Sequence, residues 1–134
     1  MDFPMSPCAD ALPRTGILIV DDEPAIRALL LAALPAQGFT VFAVADGQEA
    51  LALYQQHQAE IAMILLDVRM PGMDGPKILE SIREINPALR CCFMTGNPGQ
   101  YTEQELLALG SACVVQKPFG LAELVQVLRW LMAN

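Results

Sequence analysis

The stretch MILLDVRMPGMDG, residues 63–75, decides how this chain folds. Its first four residues continue an apolar run that begins at Ile61 and stops abruptly at Asp67. An unbroken Ile- and Leu-rich run closed by turn residues reads as a strand buried on both faces. Pro71-Gly72 then marks a turn, and Asp74 with Pro76 marks a helix start. A strand of this kind carries one carboxylate to the edge of a sheet and leaves it at a loop.

The same grammar repeats on either side. Residues 16–20 form a short apolar run that ends in Asp21-Asp22-Glu23-Pro24, a strand followed by a helix start. Ile26, Leu29, Leu30, Ala33 and Leu34 then recur at helical spacing until Pro35 and Gly38. Residues 40–45 read as a second strand. Asp46 can cap the next helix, with Glu49 three residues on and Ala50, Leu51 and Tyr54 as its apolar face. After the third strand, at 61–66, Asp74 precedes a helix carrying Ile78, Leu79, Ile82 and Ile85, which Asn86-Pro87 ends. A fourth strand is expected at 90–94, a helix at 102–109 stopped by Gly110, and a fifth strand at 112–115. Leu121, Leu124, Val125, Leu128 and Leu131 line a last helix.

This is a strand and a helix in alternation, five times over. It implies a doubly wound α/β fold, a parallel sheet covered by helices on both faces. Right-handed crossovers make the strand order 2-1-3-4-5 the natural choice. A chain of 134 residues suits one domain. The opening MDFPMSPCADALPRTG has neither a basic start nor an apolar core, so it is no signal peptide. It reads as a flexible tail over 1–14, leaving 15–134 as the domain.

Composition narrows the function. With 54% hydrophobic residues the chain is not disordered. Its net charge of −7, with only eight basic residues, argues against nucleic acid as a direct partner. The longest apolar run, 28–36, is too short to span a membrane. Cys8, Cys91, Cys92 and Cys113 form no CxxC pair, and no His lies at metal-ligand spacing from them. They read as reduced thiols of a cytoplasmic protein.

Position then identifies a site. Asp21-Asp22 follow strand one, Asp67 strand three, Thr95 strand four and Lys117 strand five. In an open parallel sheet all these ends share one edge, where ligands bind at the switch point. Each residue alone is ordinary, as a helix cap, a turn residue or a solvated lysine. Together they converge three carboxylates, a hydroxyl and an ammonium. Two carboxylates about 5 Å apart repel by roughly 3 kcal/mol at an effective dielectric near 20, a problem that Mg2+ relieves. Asp67 is the most central, which makes it the expected nucleophile for an aspartyl phosphate. Mg2+, Lys117 and Thr95 can each bind one phosphoryl oxygen.

Over 15–132 the chain resembles the receiver domain of two-component response regulators, chemotaxis receivers among them. The segments that carry the likeness are ILIVDDEPAIR, MILLDVRMPGMDG, MTG and QKPFG. The resemblance implies a flavodoxin-like sandwich with sheet order 2-1-3-4-5. It implies that Asp67 is the phosphoacceptor and that Asp21, Asp22, Asp67 and the Arg69 backbone carbonyl hold Mg2+, with Asp22 the more direct ligand of the acidic pair. Thr95 is then the switch hydroxyl, Lys117 the phosphate-binding lysine, and Pro118 follows a cis peptide bond. The donor is a sensor histidine kinase or a histidine phosphotransfer protein. The output is a shift of helix 4, strand 5 and helix 5, a surface suited to a downstream protein or a homodimer. Such a domain is not an enzyme toward other molecules; it catalyses only its own phosphoryl transfer and dephosphorylation.

Some positions depart from the family. Val114 stands where many receivers place an aromatic ring, which motivates an interaction module that works without phosphorylation. Arg69 and Asn97 occupy places from which side chains overhang a phosphoryl group. A Mg2+-dependent phosphatase would need an acid at residue 69, and a flavin-binding domain would need a phosphate loop after strand one; neither is present. His57, the single histidine, reads as a solvated helix-end residue with no acidic partner spaced to orient it. Trp130 reads as a reporter of packing.

Overall fold

The computed structural model describes residues 15–96 and 101–133. The expected tail at 1–14, Cys8 and Asn97 lie outside the described residues. In chain order the elements are β1 (Gly16–Val20), α1 (Pro24–Ala33), β2 (Thr40–Val44), α2 (Gly47–His57), β3 (Ile61–Asp67), α3 (Gly75–Ile85), β4 (Arg90–Thr95), α4 (Glu103–Ala108), β5 (Cys113–Gln116) and α5 (Leu121–Ala133). A 3-10 turn over Pro35–Gln37 follows α1, and Gly38 closes it at φ 96°. The five strands are parallel in the order β2-β1-β3-β4-β5, as the alternation and the handedness rule require.

Two differences from the sequence reading are small but matter. Asp67 and Thr95 are the last residues of their strands rather than the first residues after them. Their backbones are therefore fixed by the sheet, which gives the side chains less freedom than a loop would.

Continuous apolar strands are explained by the two layers they serve. Successive side chains point to opposite faces. Leu18, Val20, Ile64, Leu66, Cys91 and Phe93 face α2, α3 and α4, where they meet Ala50, Tyr54, Ile78, Ile82 and Leu106. Ile17, Ile19, Met63, Leu65, Cys92 and Met94 face α1 and α5, meeting Leu30, Leu124 and Leu128. The helices present one apolar stripe each, and α2 and α3 are capped by the expected side chains. Asp46 accepts from the Glu49 N–H and Asp74 from the Lys77 N–H. Thr102 and Glu105 form a reciprocal capping box on α4.

Arg83, in the last turn of α3, ties that helix to the end of α4. Its guanidinium donates to the carbonyls of Leu89, Leu109 and Gly110 at 3.1, 2.9 and 2.8 Å. The carbonyls at the end of α4, which lack partners within the helix, are satisfied from a neighbouring element. Among the described residues, no helix is long and apolar enough to cross a membrane.

Candidate functional site

Register brings the polar residues together. Val20 pairs with Leu66, so Asp21, the next residue of its chain, reaches the same height as Asp67. Asp67 pairs with Met94, one residue before Thr95, and Thr95 pairs with Gln116, one residue before Lys117. The Lys117 N–H donates to the Thr95 carbonyl at 2.9 Å, extending the ladder into the site. The Lys117–Pro118 peptide bond is cis.

The loop after Asp67 folds back closely. Gly72 takes a φ of 81°, the left-handed region that favours glycine. The Gly75 N–H then donates to the Val68 carbonyl at 3.0 Å. A Cβ at Gly75 would lie 2.4 Å from the Asp67 carbonyl oxygen, so only glycine allows α3 to begin here. Asp74 caps α3 and accepts from the Tyr101 hydroxyl at 3.1 Å; it takes no part in the acidic cluster. The chain leaves the site quickly, and the Asp67 side chain remains at the sheet edge.

Three carboxylates converge as expected. Asp21, Asp22 and Asp67 each offer an oxygen within 4.8 Å of the others. Asp21 is fully buried and Asp67 is 6% exposed, whereas Asp22 is the most open to solvent. Asp21 is also the most engaged. Its Oδ1 accepts from the Glu23 N–H at 2.9 Å, and its Oδ2 from Lys117 Nζ at 2.8 Å. The Arg27 guanidinium holds its backbone carbonyl at 2.8 Å.

Lys117 Nζ lies 3.5 Å from Asp67 Oδ2 and 2.9 Å from Glu23 Oε1. Burial works to lower the pKa of this ammonium. Its bonds to Asp21 and Glu23 and the charge of Asp67 overcome that, and hold it well above the usual lysine range. Asp67 goes the other way for a carboxylate. Burial first, then the charge of Asp21, push its carboxyl up to about 6, with Lys117 only partly opposing. Thr95 is 6% exposed, and among the described residues its Oγ1 has no hydrogen-bond partner. A buried hydroxyl without a partner is uncommon and carries a desolvation cost.

Glu23 is the residue that sequence reading missed. Its signal was present in the Asp-Asp-Glu-Pro turn, two residues from Asp21, but the turn read only as a helix start. The remaining residues fall as follows. Arg69 is exposed at the rim, two residues after Asp67. Val114 pairs with Phe93 and packs against the core layer on that face. His57 corrects an expectation, since its Nδ1 lies 3.1 Å from Glu60 Oε1, an acidic partner three residues on. The His57 ring also rests on Phe42, centroids 4.9 Å apart. Trp130 lies on α5 and is 57% exposed.

Known proteins are similar to this chain. A family model described as the response regulator receiver domain matches residues 17–129. The chain is 35% identical over 108 residues to the sporulation initiation phosphotransferase F of Bacillus subtilis, covering 81% of this chain and 86% of that one. It is 32% identical over 116 residues to the sensor kinase CckA of Brucella abortus, covering 87% of this chain but 12% of the kinase. It spans about half or less of several curated transcriptional regulators that it also matches. Among solved structures, the CheX–CheY–BeF3–Mg complex of Borrelia burgdorferi superposes with a TM-score of 0.82 at 27% identity, covering 94% of this chain and 95% of that one. Sheet order, site geometry and these likenesses agree, and the chain belongs to the response regulator receiver domain family.

Proposed function

We propose that this receiver accepts a phosphoryl group on Asp67 from the phosphohistidine of a sensor histidine kinase or a histidine phosphotransfer protein. The observation that carries this reading is one juxtaposition. The Asp67 carboxylate ends β3 beside two further carboxylates, 3.5 Å from Lys117 Nζ, on the sheet edge that also carries the unpartnered Thr95 hydroxyl. A carboxylate oxygen of Asp67 attacks phosphorus; a P–O bond forms, the P–N bond breaks, and the imidazole leaves with the electron pair.

The donor set fits a divalent cation, because the three carboxylate oxygens cluster within 4.8 Å, and burial first, then the charge of Asp21, leave the Asp67 negative charge poorly compensated. Asp21, Asp22, Asp67 and the Arg69 carbonyl would hold Mg2+. Asp22 is the natural direct ligand, since both Asp21 oxygens already accept hydrogen bonds. When bound, Mg2+ supplies positive charge against the carboxylates and the phosphoryl oxygens. Lys117 holds a second positive charge at Asp67. Thr95 has a free hydroxyl proton to donate to a phosphoryl oxygen, and moving to do so satisfies a group that is otherwise orphaned.

The shift at Thr95 passes to α4, β5 and α5, where Leu107, Leu109 and Trp130 stand exposed as a surface for a downstream protein or a second copy. The protein works in the cytoplasm, within the receiver unit 15–134. A likeness to a complex of BeF3 and Mg with a related receiver, and another to a sensor kinase, support the chemistry and the donor. The test is incubation with a small phosphodonor and Mg2+. Wild type gains acid-labile phosphate and Asp67→Asn gains none; equal labelling of the two overturns the reading. A phosphorylation-independent interaction module is favoured by one feature, Val114 at the usual ring position. Absence of any amide shift at Asp67 or Thr95 on adding Mg2+ and beryllofluoride would select it.

A further inference from the structure

Two cysteines that are 21 positions apart become neighbours through the parallel register. Cys92 of β4 is the direct partner of Cys113 of β5. Both belong to the layer facing α1 and α5, so their side chains leave the sheet on the same side. Their Sγ atoms are 2.7 Å apart, in thiol–thiol contact. Adjacent strands lie about 4.7–4.9 Å apart, within the roughly 4.4–6.8 Å between Cα atoms that a disulfide bridges. Cys91, next in sequence to Cys92, points into the opposite layer and is excluded from the pair.

The two thiols differ in a useful way. Cys92 is fully buried, whereas Cys113 lies partly exposed on the edge strand of the sheet. The bond to Cys92 holds the Cys113 thiol below the usual thiol range, although burial opposes it. The same bond, then burial, push Cys92 well above that range. The accessible sulfur is thus the better nucleophile, and the inner one sits within reach to resolve an adduct.

We propose that Cys92 and Cys113 are a redox pair, oxidised by low-molecular-weight disulfides to an intramolecular bridge between β4 and β5. The Cys113 thiolate attacks one sulfur of the small disulfide and releases one thiolate, leaving a mixed disulfide. Cys92 loses its proton and attacks the Cys113 sulfur, releasing the second thiolate. Two protein thiols are oxidised, one external disulfide is reduced to two thiols, and the protons from the protein pass to the leaving thiolates. The bridge pins β5 to β4 three residues before Thr95 and four before Lys117. The effect of that pinning on signalling rests on the phosphorylation reading; the bridge itself does not.

The test uses the full chain, reduced, freed of reductant and incubated with oxidised glutathione. Intact mass should fall by about 2 Da, the signature of one disulfide, and digestion after glutamate should yield fragments joined through Cys113. Cys91→Ala should behave as wild type. Cys92→Ala should instead retain glutathione on Cys113, and Cys113→Ala should form no bridge. A wild-type protein that loses no mass, that keeps a stable glutathione adduct, or that bridges through Cys8 or Cys91 overturns the proposal. Phosphate labelling of Asp67 is not read in this experiment, so its failure leaves the phosphoacceptor reading untouched.

Discussion

Replacing Asp67 by Asn should stabilise the metal-free protein, and the gain should depend on pH in a defined way. The carboxyl is pushed from its ordinary 3.8 up to about 6. The side chain is 9% exposed, so water screens little of this. A folded-state pKa above the unfolded one means that the folded protein binds the proton more tightly. The ionised group therefore opposes folding above pH 6, and the penalty disappears as the pH falls below 3.8. Two pKa units correspond to about 3 kcal/mol at pH 7, falling to about half of that at pH 5. The opposing attraction of Lys117 is already contained in the shift. Asn keeps the shape and removes the charge, so a gain of about 1–3 kcal/mol is expected at pH 7.5, and a clearly smaller one at pH 5. Urea unfolding with chelator at both pH values measures it. Repeating the pair with Mg2+ should stabilise wild type more than Asp67→Asn, closing the gap. A variant less stable than wild type at pH 7.5, or a gain equal at both pH values, refutes the idea that desolvation and crowded carboxylates strain this site.

Other outcomes follow from single contacts. Thr95→Val removes a buried hydroxyl that has no partner among the described residues, so it should stabilise the unphosphorylated protein by about 1 kcal/mol in urea unfolding while abolishing the phosphorylation-linked amide shifts in α4. Arg83→Ala frees three carbonyls on two loops and should cost about 1–3 kcal/mol, with amide exchange at the end of α4 rising most. Arg69→Ala, at the exposed rim two residues from Asp67, should change the lifetime of the phosphoryl group; equal dephosphorylation rates in mutant and wild type would sink that role.

The sheet was legible because each buried strand is an unbroken apolar run that ends in a polar residue, and because crossover handedness leaves one natural order. Asp21, Asp22, Asp67, Thr95 and Lys117 were legible for the same reason: strand ends in a parallel sheet share an edge. What could not be read were contacts set by register and by local turns. Nothing in the spacing of Cys92 and Cys113 reveals that they pair across β4 and β5. The His57–Glu60 contact was local enough to read, but depended on how the chain turns after α2.

Glu23 shows why such details matter for the chemistry. Lysine has three ammonium protons. In this structure Lys117 bonds Asp21 and Glu23, with Asp67 at 3.5 Å as the third acceptor. The Asp21 bond is buried and the Glu23 carboxylate is 59% exposed, so the two are not equal. Exposed ion pairs contribute about 0–1 kcal/mol, and the Glu23 contact can be exchanged for water at little cost. Asp21 therefore anchors the ammonium and sets its reach, while Glu23 steadies it reversibly. A lysine held this way can lean toward new negative charge on Asp67 without giving up its buried partner. Asp21 Oδ2 is committed to that anchoring and its Oδ1 accepts from the Glu23 N–H, so of the three carboxylates that would meet a cation, Asp22 and Asp67 are the less engaged.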